Sequence, residues 1–162
     1  MIVVSNTSPL TNLAAIGQFD LLQQLYSEVH IATGVWDELN ARGIHWPGRE
    51  ETSSASWIKQ HHIKNKDLVT ALQRDLDRGE AESIALALEL NADLLLLDEQ
   101  EGRRSAQRME LDFVGIVGVL LEAKHSGFIE TIRPHLDALR QTAGFYLSES
   151  VYQHALSLAE EE

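Results

Sequence analysis

Hydrophobic positions along the chain form short continuous runs separated by stretches of helical periodicity. The clearest runs are residues 2–5, 29–32 and 94–97, and each predicts a strand buried on both faces, as in a parallel sheet covered by helices. Weaker patterns predict an edge strand at 57–63 and a further strand at 112–115. Strands that alternate with helices are typical of an α/β sandwich with a mainly parallel sheet.

Between these strands, apolar residues recur at the spacing of helices. Ser8-Pro9 predicts a helix start capped by the Ser8 hydroxyl, and Gly17 predicts its end. The segment 43–56 lacks periodicity and predicts a surface loop, in which a short helix is also open. The further predicted helices cover about residues 19–26, 33–39, 66–76, 80–90, 100–109, 117–124, 129–142 and 148–162. We expect one domain over residues 1–162, with the C-terminal helices of about 129–162 packed on it or extending from it, and a frayed AEEE end.

The stretch from Arg78 to Arg104 is the most informative part of the chain. Acidic residues open its predicted helix at Glu80, and Asp98 follows the run of four leucines directly. In open α/β sheets, ligands bind beyond the carboxyl ends of the strands. Asp98 therefore falls where such folds place their chemistry.

Composition excludes several classes of protein. Asp and Glu number 25 against 13 Lys and Arg, a net charge of -12, which repels phosphate backbones and argues against an indiscriminate nucleic-acid binder. The acids could serve solubility, a basic partner, or a divalent cation. The absence of cysteine excludes disulfides and thiolate metal sites and favours a cytoplasmic protein. No apolar run approaches the roughly 20 residues that span a bilayer, and we expect no membrane contact.

A candidate site emerges where polar residues adjoin one edge of the predicted sheet. Asn6 follows the first strand and Asp98 the leucine run, while Glu38 and Glu80 lie on neighbouring helices. Crowded carboxylates repel one another unless they share protons or a cation. Ligand sets of oxygen alone favour Mg²⁺ or Mn²⁺ over Zn²⁺.

Structural interpretations of the same residues remain open. Glu80 and Glu82 suit the first turn of a helix because of the helix dipole. Asp98 could cap the helix that follows it, and Glu38 could be a solvated acid on an amphipathic helix. No glycine-rich phosphate loop of standard form occurs, which argues against an NTPase or a dinucleotide enzyme.

Several motifs together resemble the PIN-domain superfamily, in particular a PIN-like branch of predicted nucleic-acid-binding proteins often found in toxin–antitoxin modules. The motifs are VVSNTSPL at the start, LDRGEAESIALALELNADLLLLDEQEGR in the middle and AKHSGFI towards the end. The resemblance runs from Ile2 to about Leu156. It implies a doubly wound, three-layer α/β/α fold and a Mg²⁺- or Mn²⁺-dependent nuclease site that acts on RNA.

Carried over position by position, the resemblance assigns the four metal-binding and catalytic positions to Asn6, Glu38, Glu80 and Asp98. The hydroxyl after the first acid falls on Thr7 or Ser8, which we expect to contact substrate. Glu82 and Glu99 adjoin matched positions and are expected to support the metal ligands. Arg103 and Arg104 follow the acids closely and are candidates for binding substrate phosphates, although both could instead form salt bridges. Asn6 departs from the family, which usually has aspartate there, and it removes one negative charge from the metal site.

The resemblance implies a metal-dependent endoribonuclease, the toxin-like component of a module with a small antitoxin-like protein, and a homodimer. The alternative is a catalytically weakened or inactive PIN-like binding module that acts through a protein partner. Asn6 and the net charge of -12 favour the alternative. A basic partner segment would suit an acidic groove.

Overall fold

The sheet at the centre of the computed structural model, which describes all of residues 1–162, is entirely parallel. Its strands are β1 (Val3–Ser5), β2 (Val29–Ala32), β3 (Ile58–His61), β4 (Leu94–Leu96) and β5 (Phe113–Val114). The helices are α1 (Thr7–Ala15), α2 (Leu21–Tyr26), α3 (Thr33–Leu39), α4 (Arg49–Ser54), α5 (Lys66–Leu72), α6 (Arg78–Glu89), α7 (Gln100–Arg108), α8 (Ile116–His125), α9 (Arg133–Gln141) and α10 (Glu149–Leu158). The predicted α/β/α sandwich is confirmed.

The strand order β3-β2-β1-β4-β5 places the topological switch between β1 and β4. β2 and then β3 are added on one side of β1. The chain then crosses to the other side of β1, where β4 and then β5 are added. β1 and β4 pair in register, with Val4 opposite Leu95. In such sheets the crevice outside the carboxyl ends of the strands at the switch point is the usual ligand site.

Successive side chains of a strand point to opposite faces of the sheet, and this divides the hydrophobic core into two parts. Val3 and Leu96 belong to a cluster of 24 buried residues that also includes the apolar faces of α1, α2, α8, α9 and α10. Val4 and Leu95 belong to a second cluster of 13 residues, with α5, α6 and α7. The continuous apolar runs of the sequence follow from this burial on both faces.

The predicted start and the predicted cap of the first helix are both wrong. This helix begins at Thr7, not Pro9, and the residue before it is Asn6, whose side chain makes no capping bond. The Ser8 hydroxyl instead accepts a hydrogen bond from the Asn12 amide at 3.0 Å. Asn6 is therefore free to act in the crevice rather than in the helix.

The C-terminal segment does not fray as the AEEE pattern predicts. The Glu161 carboxylate accepts hydrogen bonds from the backbone N–H groups of Ile132 at 2.8 Å and Arg133 at 3.1 Å, and it pairs with the Lys124 ammonium at 3.0 Å. These contacts tie the chain end to the start of α9 and to α8. None of the helices combines the length and the apolar character needed to cross a bilayer.

Candidate active site

The switch point brings Asn6, after β1, next to the Asp98-Glu99 pair, after β4. The Asn6 backbone N–H donates to the Leu96 carbonyl at 3.0 Å, and the Asn6 side-chain Nδ2 donates to Glu99 Oε2 at 3.2 Å. Asn6 is only 3% exposed, and its Oδ1 has no hydrogen-bond donor in the protein. Since a buried oxygen without a donor is costly, this carbonyl is a marked feature of the crevice.

Glu38 reaches the same place from α3. Its Oε2 accepts a hydrogen bond from the Thr7 hydroxyl at 2.8 Å. A methyl group on Gly79 would lie 2.9 Å from Glu38 Oε2 and 3.6 Å from both Asn6 Oδ1 and Asp77 Oδ1. Oxygen atoms from three separate parts of the chain therefore surround the space that the missing side chain of Gly79 leaves open.

Glu80 has both a structural role and an unsatisfied oxygen. Asp77 and Glu80 form a capping box at the start of α6: Asp77 Oδ1 accepts from the Glu80 N–H at 2.9 Å, and Glu80 Oε1 accepts from the Asp77 N–H at 3.5 Å. The other oxygen, Glu80 Oε2, is buried without a donor. The interpretation of Glu80 as a helix-start acid thus explains only one of its two oxygens.

Asp98 and Glu99 point to opposite sides of the chain where it leaves β4. Its Oδ1 accepts from the Ile116 N–H at 3.0 Å, at the start of α8, and lies 3.7 Å from the Arg103 guanidinium. Its Oδ2 is buried with no donor. Asp98 does not cap α7, because Glu99 occupies the capping position and makes no capping bond with its side chain.

Two openings flank this group of residues. The acidic cavity, of about 190 Å³, is lined by Asn6, Thr7, Ser8, Thr11, Glu38, Trp46, Asp77 and Glu99. The apolar cleft, of about 490 Å³, contains Asp98 and Arg103 with aromatic and aliphatic side chains that include the exposed Tyr146. Asp98 and Glu99 face different openings because successive residues of an extended chain point to opposite sides.

Both predicted phosphate-binding arginines form ion pairs within the protein. Arg103 donates from Nε to the Leu97 carbonyl at 2.9 Å and lies beside Asp98. Arg104 pairs with Glu101 at 2.7 Å. Their placement matches the salt-bridge interpretation, and neither arginine lines the acidic cavity.

Glu82, predicted to support the metal ligands, instead joins two helices. Its carboxylate accepts from the Gly34 N–H of α3 at 2.9 Å and pairs with Arg78 at 2.7 Å. Both of its oxygens are thereby engaged away from the acidic cavity. Glu99, by contrast, bonds Asn6 directly and lines that cavity.

The acids of the site hold their protons more tightly than isolated carboxyls do. Burial, followed by the charges of Asp77 and Glu99, raises the pKa of Glu80 to about 7. Burial raises the pKa of Asp98 to about 6, although the Ile116 N–H and Arg103 oppose this shift. Partial burial also raises the pKa of Glu38, against the effect of the Thr7 hydrogen bond. Carboxyl groups with perturbed pKa values beside a crevice are typical of functional sites.

In the absence of divalent cations, we expect Glu80→Gln to be more stable than the wild type at about pH 8 but not at about pH 5. The folded protein keeps the Glu80 proton up to about pH 7, whereas the unfolded chain releases it near the ordinary value of 4.5. Stability is therefore lost as the pH rises between these two values, and glutamine removes that loss. Since a chain of this size shifts by about 2–4 °C per kcal/mol, the difference in Tm at the higher pH should be several degrees.

Thermal unfolding in EDTA, followed by circular dichroism, measures this difference. The comparison between variant and wild type cancels the contribution of histidines such as His61, whose pKa burial lowers. Equal Tm differences at the two pH values would contradict the assigned pKa shift.

The donor set fits a hard divalent cation, although the side chains are not gathered into a finished site. Buried oxygens without donors belong to Asn6, Glu80 and Asp98, and the only other such atom in the chain is on Thr52. All are hard oxygen donors of the kind Mg²⁺ prefers. Nowhere do three or more Asp, Glu or His side chains approach closely enough to hold one ion. Glu38 is held by Thr7 and Asp98 by Ile116 and Arg103.

Sequence reasoning missed Asp77 and Trp46. Asp77 begins the pattern Asp-x-x-Glu that ends at Glu80, a capping signal that was present in the sequence. Trp46 lies in the segment predicted as a surface loop with room for a short helix, which the structure places at Arg49–Ser54, and no local pattern indicates that this loop approaches the carboxyl edge of the sheet.

Comparison with known families gives one match that spans almost the whole chain. A family model described as a PIN domain matches residues 2–161. No curated protein matches the chain. The matched range includes every residue of the acidic cavity.

Proposed function

The chain belongs to the PIN-domain family, and on that premise we propose that it is an endoribonuclease that hydrolyses RNA phosphodiester bonds with Mg²⁺ or Mn²⁺. PIN domains are generally nucleases that use divalent metal ions. The observation that most supports the proposal is the set of buried oxygens without donors on Asn6, Glu80 and Asp98. Three residues from separate parts of the chain leave such atoms near one edge of the sheet, and their side chains would have to turn towards one another to share a cation.

In this proposal Asn6, Glu38, Glu80 and Asp98 hold the cation. When bound, Mg²⁺ or Mn²⁺ supplies a Lewis acid that lowers the pKa of water and stabilises negative charge on the phosphate. Glu99 orients Asn6 by accepting the hydrogen bond from Nδ2, which directs Oδ1 away from Glu99. Thr7 orients Glu38 in the same way through its hydroxyl. Ser8 lines the cavity beside them and is positioned to contact substrate.

The proposed biological role is that of a cytoplasmic toxin-like component with a small antitoxin-like partner, acting as a homodimer. The net charge of -12 supports a basic partner segment, because opposite charge accelerates and orients association. A short reading frame that overlaps the gene upstream, and whose product co-purifies with this chain, would support this role. If the chain purifies as a monomer, the homodimer part of the proposal is wrong.

The cleavage proposal is tested with purified protein and a structured RNA. We expect cleavage in millimolar Mn²⁺ and none in EDTA, with activity restored when the metal is returned. Structured RNA is preferred because so acidic a chain should select a shaped substrate rather than bind any strand. Cleavage that persists in EDTA would contradict metal dependence. If no divalent cation supports cleavage, the proposal that the protein is a ribonuclease is wrong.

A binding module that has lost catalysis is the second candidate. Two observations favour it: the carboxylates are not gathered within reach of one ion, and Asn6 supplies a neutral amide where the family usually has aspartate. Titration with Mn²⁺ separates the candidates. No binding at millimolar concentration, together with tight capture of a co-encoded small protein, would select the binding module.

The variant Asn6→Asp distinguishes an attenuated site from a lost one. We expect it to bind Mn²⁺ about tenfold more tightly than the wild type, since cation affinity rises with the number of charged ligands, and to cleave RNA faster. The same change breaks the Nδ2 bond to Glu99 and adds a charge beside the other acids, so the metal-free Tm should fall. Titration calorimetry and thermal unfolding measure both effects. Unchanged Mn²⁺ affinity would mean that position 6 does not contact the metal.

A further inference from the structure

Trp46 is the only hydrophobic residue that lines the acidic cavity. It is 40% exposed. The other lining side chains carry hydroxyl, carboxyl or amide groups. The exposed part of the indole is therefore the one large apolar surface among the residues that line this cavity.

The loop that carries Trp46 is held in place by backbone contacts. Gly48 has φ of +93° and packs so closely on α1 that a methyl group there would lie 3.1 Å from the Leu10 carbonyl. Arg49 donates from its backbone N–H to the Trp46 carbonyl at 3.2 Å and from its guanidinium to the Ile44 carbonyl at 3.1 Å. Both contacts fix the backbone on either side of Trp46. These contacts hold the backbone that carries Trp46 beside the cavity, so the position of the residue does not depend on a ligand.

We propose that Trp46 stacks on an unpaired nucleobase of the RNA, next to the phosphodiester held at the acidic cavity. This inference rests on the proposed ribonuclease function and names the part of the substrate that the site recognises. Aromatic stacking suits this acidic chain because it adds affinity without requiring cations around the phosphates. It also predicts cleavage in loops or bulges, where bases are free to leave the helix.

The apolar cleft offers a rival position for a base. Tyr146, 85% exposed, lies at that cleft together with Asp98 and Arg103. The acidic cavity is favoured because it contains Asn6, Glu38, Asp77 and Glu99 around one small volume, whereas the cleft has a single acid already paired with an arginine. The variants Trp46→Ala and Tyr146→Ala separate the two positions.

The test compares Trp46→Ala and Trp46→Phe on two RNAs that differ only by one abasic nucleotide beside the cleavage site. We expect Trp46→Ala to weaken RNA binding about tenfold, seen as a raised KM with little change in kcat, and Trp46→Phe to restore most of it. The abasic RNA should bind the wild type about tenfold more weakly than the intact RNA. The Trp46→Ala variant should bind the abasic RNA and the intact RNA equally well, because it has no indole on which the base could stack.

Phe128→Ala is the matched control, since Phe128 is exposed to a similar degree, 43%, and does not line the cavity. Binding is measured by fluorescence anisotropy of labelled RNA in EDTA, which needs no cleavage. If the wild type fails to cleave but Trp46→Ala alone abolishes the preference for intact over abasic RNA, the ribonuclease proposal fails and stacking stands. Three results would overturn the stacking inference. Trp46→Ala could bind RNA as tightly as the wild type, or RNA binding could be lost in Tyr146→Ala instead. Trp46→Ala could also lose as much affinity as the wild type does when the base is removed from the RNA.

Discussion

The double variant Glu80→Gln/Asp98→Asn is expected to cleave RNA at least about 1,000-fold more slowly than the wild type, since one electrostatic contact to a transition state is worth about 10²–10³ in rate. Both changes keep the shape of the side chain and remove its charge. Each residue contributes a buried oxygen without a donor, so both should lose their affinity for the cation. Single-turnover cleavage at saturating Mn²⁺ measures the loss.

The variant should remain folded, because the raised pKa values of Glu80 and Asp98 mean that the fold already favours their uncharged forms. The control Glu51→Gln/Glu130→Gln removes the same charge from two exposed acids outside the site. Its activity should match that of the wild type. Equal cleavage by the Glu80/Asp98 variant and the wild type would eliminate the proposed site.

Gly79→Ala should separate activity from stability. The added methyl would lie 2.9 Å from Glu38 Oε2, among the oxygens of Asn6 and Asp77, and should displace the Glu38 carboxylate from Thr7. Cleavage should fall about 100-fold, since misplacement of a catalytic group by about 1 Å costs that much. Because the only very close contact is with the flexible end of one side chain and not with the backbone, Tm should change little.

A double-mutant cycle with Glu38→Ala checks the cause of that loss. Once the carboxylate is gone, the methyl at position 79 meets nothing that needs to move, so the two changes should be strongly non-additive. Additive losses, or a Tm that falls sharply with Gly79→Ala alone, would mean that the methyl disrupts the helix rather than the site.

The sequence predicts the sheet well because burial on both faces makes the strands continuous apolar runs. Leu94–Leu96 and the acids after it are the clearest case, and the switch point then places Asn6 beside them. Boundaries were less predictable where side chains find long-range partners. The chain end is ordered by Glu161, whose partners Ile132 and Lys124 no local pattern reveals.

Within the site, the sequence predicts which residues adjoin the carboxyl edge but not which way they point. Asp98 and Glu99 are consecutive, and only the structure reveals that Glu99 joins Asn6 while Asp98 faces α8. Arg103 has a long side chain, and its engagement with the Leu97 carbonyl depends on packing that sequence spacing does not determine. The roles assigned to these residues remain predictions.

The central claim is that oxygens from Asn6, Glu38, Glu80 and Asp98 meet at one divalent cation. A crystal structure with Mn²⁺, located by its anomalous scattering, measures this directly. We predict a single strong peak with Glu38, Glu80 and Asp98 at coordination distance, about 2 Å, and Asn6 Oδ1 turned towards it. A peak at other residues, or none at saturating Mn²⁺, would contradict the account.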